Sequence, residues 1–233
     1  MVNLVFYSDQ IIPENRRVDL KLLSMMAALK LGNRIGYIPS GPEPDRRFFN
    51  DRRQYYNIHG IEVSLFYDPE GSRAIEDREA LFACDGIHLT GGHTAEYLQR
   101  LRRSGMLSLL RDWALGGGVL IGTSAGAILM TPTIATDALF TGEMPEALVK
   151  ETALDLVPFE FFPHLNEKAS YLNELIRYSK FTNRPILACN DGDGIVVSNG
   201  RADCIGKPVW IADGEVRHAN DITLDGLVLS QDS

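Results

Sequence analysis

Cysteine is scarce in this chain. Cys84, Cys189 and Cys204 are the only three in 233 residues, and none forms a C-x-x-C pair. An odd count without close spacing excludes a disulfide framework and a zinc knuckle, and fits reduced thiols in a cytoplasmic protein. The five histidines also lack metal-ligand spacing, so neither a metal nor a cofactor is expected. No apolar run reaches the roughly 20 residues that span a bilayer. The opening Met1–Tyr7 has no basic flank or cleavage signal and reads as a buried strand rather than a leader. Basic residues are outnumbered, 23 Lys and Arg against 31 Asp and Glu, for a net charge of -8. That balance lacks the electrostatic footprint that nucleic acid requires. The basic cluster Arg46, Arg47, Arg52 and Arg53 is interleaved with Asp45, Asp51 and aromatics, and reads as a solvated helix face.

What the chain does have is the stretch Gly117–Met130, G-G-V-L-I-G-T-S-A-G-A-I-L-M. An apolar strand runs into G-T-S-A-G and then into a helix-forming run. This is the nucleophile-elbow pattern G-x-S-x-G in the strand–turn–helix context that the chemistry needs. Ser124 would sit on a tight, strained turn at the end of a strand. Glycines at 122 and 126 would let strand and helix close around it. The alternative is a capping serine at a Gly-rich junction, which does not explain glycines on both sides.

The rest of the chain alternates strand and helix patterns. Apolar runs at Leu4–Tyr7, Arg34–Pro39, Ile61–Tyr67, Gly86–Thr90 and Val119–Ile121 read as strands. Helical spacing covers Asn15–Leu31 with Gly32 as its cap, Asp45–Asn57, Ile75–Ala83, a run through Tyr97, Leu98 and Leu101, and Met106–Leu115. Such βαβ alternation predicts an α/β fold with a mostly parallel central sheet and helices on both faces. Further on, Glu160–His164 and Pro185–Cys189 read as short strands around a helix over Lys168–Phe181. Two C-terminal antiparallel hairpins are predicted, turning at Asn199-Gly200 and Asp213-Gly214. No linker is evident, so residues 1–233 are expected to form a single α/β hydrolytic domain. Thr131–Pro145 reads as a long loop, either a lid over the site or a surface excursion.

A serine nucleophile needs a base, and the base needs an orienting acid. His164 closes an apolar strand downstream of Ser124 and is the first candidate for the base. His88 lies inside a strand and reads as a packing residue; His59 and His218 sit near turns and read as exposed. Asp191 and Asp193 both follow the Pro185–Cys189 strand, and spacing does not choose between them. An oxyanion hole would draw on the Ala125 N–H and on Gly91 or Gly92, with His93 beside them in the pocket.

Five motifs then carry a resemblance. They are T-G-G-H-T (Thr90–Thr94), G-T-S-A-G-A (Gly122–Ala127), P-T-I (Pro132–Ile134), A-L-D-L-V-P…P-H (Ala153–His164) and D-G…V-S-N-G (Asp191–Gly200). In that order, over nearly the whole chain, they resemble peptidase E, the aspartyl dipeptidase branch of the serine peptidase family that also includes cyanophycinase. The resemblance implies a flavodoxin-like fold related to class I glutamine amidotransferases, which place a cysteine where this chain has Ser124. It implies a Ser124–His164–Asp191 triad, with Asp191 standing where peptidase E carries glutamate. It assigns the oxyanion hole to Gly92 and Ala125, and leaves Gly91 and His93 as substrate contacts.

The expected activity is serine-type hydrolysis of small peptides, alpha-aspartyl dipeptides among them. Cyanophycinase-like cleavage of beta-aspartyl-arginine material is the enzymatic alternative. A non-catalytic small-molecule sensor on the same fold is the other. A small peptide is the expected partner, nucleic acid and membrane are not, and a homodimer is allowed. The peptidases of this kind carry an arginine soon after the base. Here His164 runs through L-N-E-K into a helix without one. Asp-X dipeptides should therefore be cleaved weakly unless another cation substitutes, with Lys168 and Arg177 nearest in sequence.

Overall fold

The computed structural model describes residues 1–10, 13–71 and 74–219. β1 (Asn3–Tyr7) sets the layering, because its side chains alternate between two apolar cores. Leu4 and Phe6 join one core, Val5 and Tyr7 the other. The central sheet has the order β3 (Glu62–Phe66), β2 (Arg34–Ile38), β4 (Gly86–Leu89), β5 (Val119–Thr123), β1, β8 (Gly194–Ser198), β9 (Arg201–Ile205). Its first five strands are parallel, and β8 and β9 add antiparallel.

Helices cover both faces. α1 (Arg16–Ala28) and α2 (Arg47–Asn57) bury Val18, Leu22, Met25, Phe49, Tyr55 and Tyr56 against the Val5 side. α3 (Ile75–Phe82), α4 (Thr94–Arg103) and α5 (Met106–Leu115) bury Leu81, Tyr97, Leu101 and Leu110 on the Leu4 side. α1, α2, α4 and α5 each bury one apolar face, whereas α3 buries only Leu81 and leaves Ile75 exposed. α5 has the predicted bounds, whereas α1, α2 and α3 are shorter than predicted. α1 stops before Lys30, which takes φ 55 itself, while Gly32 gives its N–H to Asp85 at 2.9 Å instead of capping.

A second sheet of four strands stands beside the central one. β6 (Glu160–Phe162) and β7 (Ile186–Ala188) pair in parallel with each other, away from the central sheet. β10 (Val209–Ala212) and β11 (Glu215–His218) extend β7 antiparallel. One face of this sheet packs on α8 (Ser170–Tyr178) through Phe162, Ile186, Tyr171 and Leu175. The other face, through Phe161 and Leu187, enters the core that holds Phe6, and the Phe6 and Phe161 rings lie 5.3 Å apart. Both hairpins turn as predicted, with left-handed φ at Asn199, Gly200, Asp213 and Gly214.

Thr131–Pro145 is not one surface loop: only its residues 141 to 144 are exposed, and Asp137, Phe140 and Thr141 line a pocket at the site. Residues 131 to 139 are buried, and they include α7 (Ala138–Thr141) in part. Its threonines bond inward: Thr131 Oγ1 donates to the Ile128 carbonyl and Thr136 Oγ1 to that of Phe161, both at 2.7 Å. Among the described residues no helix is long and apolar enough to cross a membrane.

Candidate active site

The carboxyl ends of β1, β4 and β5 converge, as they must in a parallel sheet whose ligands bind at that edge. Ser124 follows β5 with φ 50 and ψ -113, a conformation non-glycine residues rarely hold. Strain of this kind costs about 1–3 kcal/mol and persists only where the surroundings fix it. Here the fixing is by backbone. The Ser124 N–H donates to the Tyr7 carbonyl and the Gly126 N–H to that of Thr90, each at 3.0 Å. The flanking glycines are needed for contact. A Cβ on Gly122 would stand 2.5 Å from the Gly126 carbonyl oxygen, and one on Gly126 would stand 2.1 Å from that of Leu89. The helix beyond, α6 (Ala125–Ile128), is a single turn, shorter than the predicted run through Met130.

His164 comes from the other sheet. It lies two residues beyond β6 and also adopts a left-handed φ, 55. Its N–H donates to Ser8 Oγ at 2.8 Å, and that hydroxyl donates on to the Cys189 carbonyl at 3.2 Å. The imidazole then bridges two groups. Its Nε2 lies 2.9 Å from Ser124 Oγ, and its Nδ1 lies 2.6 Å from Asp191 Oδ1. With the proton on Nδ1, the ring donates to the carboxylate and accepts from the serine hydroxyl. The Phe140 ring meets the imidazole edge-on, 6.0 Å between centroids.

Asp191 follows β7 and is held in turn by Asn166. The Asp191 N–H donates to Asn166 Oδ1 at 2.8 Å, and Asn166 Nδ2 donates to Asp191 Oδ2 at 3.3 Å. Asp193 is turned away from the histidine. Its two oxygens accept the N–H groups of Lys207 and Asn190, at 3.0 and 3.2 Å. It ties the loop after β7 to the turn before β10. Burial raises its carboxyl above the ordinary range.

Gly92 has φ 143, and a Cβ there would collide with Ser40 Oγ at 2.1 Å. Gly91 lies against Ser124, its ideal Cβ position 3.5 Å from the serine Cβ. Among the described residues the N–H groups of Gly92 and Ala125 make no backbone hydrogen bond. His93 is exposed and caps α4, accepting the Glu96 N–H on Nδ1 at 3.3 Å. Two pockets meet at Gly92, Ser124 and His164. The larger, about 460 Å³, is walled by Pro39–Glu43 and floored by His88 and Arg52. The smaller, about 320 Å³, is walled by His93, Asp137, Phe140 and Glu167. Among the described residues no cluster of three His, Cys, Asp or Glu side chains could hold a metal.

This geometry sits within a recognisable sequence. The model of peptidase family S51 matches residues 8–205. The chain belongs to peptidase family S51. An uncharacterized peptidase of Listeria innocua is 32% identical over 46% of this chain and 60% of its own length. Peptidase E of Salmonella typhi is 29% identical over 60% of this chain and 63% of its own length. The matched region thus spans under two thirds of these curated relatives. Among solved structures, a putative peptidase E from Listeria monocytogenes superposes with a TM-score of 0.65 at 21% identity, over 88% of this chain and 98% of that one. A peptidase from an acI-B1 actinobacterium gives 0.65 at 14% identity, over 94% and 97%. At these identities the structural likeness speaks for the fold.

Placed on the S51 fold, some sequence expectations need correction. Lys168 lies over the Tyr171 ring at 5.3 Å, and Arg177 pairs with Glu146 at 2.6 Å and with Glu174 at 3.2 Å. Neither lines the pockets. Arg52, read as part of a solvated helix face, turns inward and lines the larger pocket. His59, read as exposed, reaches Asp19 at 3.2 Å, in a cluster where Tyr7 and Tyr55 also bond that carboxylate. His88 is buried as expected, but it also lines the larger pocket. Its Nδ1 meets the Tyr56 hydroxyl at 2.9 Å, and burial, aided by the Arg52 charge, holds its pKa well below the usual value. Sequence reasoning missed Ser8, Asn166 and Arg52. A polar residue directly after a strand that feeds the site was the one available signal for Ser8.

Proposed function

We propose that this S51 chain is a serine peptidase that hydrolyses short peptides. The observation that carries the reading is the unbroken line of hydrogen bonds from Ser124 Oγ through His164 to Asp191. Ser124 Oγ attacks the scissile carbonyl carbon while His164 Nε2 takes its proton. Asp191 keeps the Nδ1 proton in place and stabilises the imidazolium. The N–H groups of Gly92 and Ala125 hold the oxyanion, with Gly91 packed against the nucleophile. His164 then delivers its proton to the leaving amine. Water, activated by the same imidazole, releases the acyl group from Ser124. Residues 1–233 act as one hydrolytic unit on this reading, since both sheets supply part of the site; residues 220–233 lie outside the described residues. The three unpaired cysteines fit action in a reducing cytoplasm.

The test is labelling by a fluorophosphonate probe together with hydrolysis of a small dipeptide panel. The wild-type chain should label at Ser124 and turn over at least part of the panel. Ser124→Ala should neither label nor cleave, a loss of roughly 10⁴-fold or more, while unfolding at nearly the same temperature. A wild-type chain that folds but stays unlabelled and inactive makes it a non-catalytic binding protein on the peptidase scaffold.

A further inference from the structure

The two pockets that meet at Ser124 differ in charge. Arg52 is the only Lys or Arg among the described residues that line the larger one. Its guanidinium is half-buried and oriented. Nη1 donates to Gln10 Oε1 at 2.8 Å, and the plane lies 5.1 Å from the Tyr55 ring centroid. Gln10 is itself fixed: its Oε1 also accepts from Thr123 Oγ1, and its Nε2 donates to the Tyr56 hydroxyl, both at 2.9 Å. This buried network ties the guanidinium to the residue directly before the nucleophile.

Arg52 has no carboxylate within ion-pair distance among the described residues. The two acids of the same pocket are otherwise occupied. Glu43 accepts the Tyr37 hydroxyl at 3.0 Å and the Phe49 N–H at 3.1 Å, and Asp9 accepts the Gln10 N–H at 2.6 Å. A guanidinium drawn out of bulk water, with most of its donors unused, is a built seat for a planar anion. The smaller pocket, which shares Gly92, Ser124 and His164 with the larger, is lined by Asp137 and Glu167 and, among the described residues, by no Lys or Arg. Asp137 is buried and accepts the Thr94 hydroxyl.

We propose that Arg52, in the larger of the two pockets that share Ser124, seats a carboxylate of the bound peptide. The inference rests on the peptidase reading, because it takes Ser124 as the point of cleavage. The carboxylate is either the free C-terminus or an acidic side chain. A free dipeptide carries an ammonium at one end, a carboxylate at the other and the scissile bond between them. Its two residues span about 7 Å, short enough for one pocket beside Ser124 to take the whole leaving residue with its free terminus. Short unblocked peptides are then the substrate class, with the leaving residue lying over Arg52.

The experiment compares the wild type, Arg52→Met and Arg52→Lys on Ala-Ala, Ala-Ala amide, Asp-Ala and Asp-Ala amide. Both kcat/KM and calorimetric binding to the matching Ser124→Ala proteins are measured. The wild type should favour each acid over its amide by about 30–100-fold, as expected for one desolvated charged pair. Arg52→Met should erase that preference, bringing kcat/KM and binding of each acid to the level of its own amide. Arg52→Lys should restore part of it, because the charge stays and the planar fork is lost. If the preference instead follows the aspartyl side chain and vanishes in Arg52→Met, the seat stands and its occupant is the side chain. Equal losses on all four peptides, or equal binding of acid and amide by the wild type, overturn the proposal even if hydrolysis is fast. Arg52-dependent binding of the acids without hydrolysis by any protein overturns the peptidase reading and keeps the seat. Binding of none of the four by Ser124→Ala overturns the proposal.

Discussion

Ser124 stands at the edge of the central sheet, and its strained main chain is held by backbone hydrogen bonds. Its own N–H and that of Gly126 are tied to carbonyls at the ends of β1 and β4, and the adjacent glycines leave no room for a side chain. His164 and Asp191 stand at the edge of the second sheet, and their partners are mostly side chains: Ser8 under the histidine, Asn166 beside the aspartate. The two halves therefore differ in what can damage them. The serine side tolerates changes of side-chain chemistry but not added volume. The histidine side tolerates volume better than the loss of a single polar atom. A line of hydrogen bonds joins halves built by these different means, so each can be broken without unfolding the other.

The largest expected effect separates the two aspartates of the second half. Asp191→Asn should lower kcat by about 10³–10⁴-fold, because the amide favours the wrong histidine tautomer. Asp193→Asn removes an acceptor from a loop tie and should cost about 1–2 kcal/mol of stability, with kcat within a few-fold of wild type. Equal kinetic losses, or the reverse order, would contradict the placement of Asp191 against the imidazole. Steady-state kinetics with denaturant unfolding of both variants decides it.

The next effect tests the first half. Gly126→Ala brings a methyl against the Leu89 carbonyl, and backbone rather than a flexible side chain must give way. Stability should fall by about 3 kcal/mol, and Ser124 should lose probe reactivity with it. Asn166→Ala, by contrast, should leave probe labelling of Ser124 detectable while slowing turnover. A Gly126→Ala protein as stable and reactive as the wild type would mean that the elbow is not backbone-limited.

The same contrast explains what could be read from the sequence. Strand, turn and helix are contiguous at G-T-S-A-G, so the elbow was legible from a short window. The parallel direction of β1 to β5 followed from alternation, but their spatial order did not. Nor did the second sheet, because β6 and β7 are three residues each and carry no period that says which sheet they join. The buried Thr131–Leu139 run looked polar because its threonines satisfy themselves against carbonyls, which composition does not reveal. Arg52 looked solvated among alternating charges. Its direction is set by Gln10, 42 positions earlier in the chain and visible only once folded. Asp191 and Asp193 differ in what meets their carboxylates, the His164 ring and the Asn166 amide for one and the N–H groups of Lys207 and Asn190 for the other, and all four groups except Asn190 come from distant parts of the chain.

The smallest of these effects probes the second sheet itself, where β6 begins with a fully buried acid, Glu160. Its Oε1 accepts the Thr133 hydroxyl at 2.9 Å, and Arg184 approaches the same oxygen at 3.5 Å. Its Oε2 has no hydrogen-bond partner among the described residues. Burial outweighs these partial compensations and pushes the carboxyl from its ordinary 4.5 up to about 7. The folded chain thus binds this proton more tightly than the unfolded chain does. The stability contributed by Glu160 is complete below about pH 4.5 and is lost as the pH rises through about 7. The full span is about 3 kcal/mol. Glu160→Gln cannot ionise, so it should escape that loss. Thermal unfolding of variant and wild type from pH 4.5 to 8 should show their difference growing in favour of the glutamine by roughly 5–10 °C. The other titrating groups are common to both proteins and cancel. Asp191 and His164 hang on the loops after β7 and β6, so turnover at pH 8 and elevated temperature should survive longer in the variant. A difference independent of pH would mean that Glu160 stays ionised, with Arg184 as a true partner. The second half of the site would then rest on a buried ion pair rather than on a protonated acid.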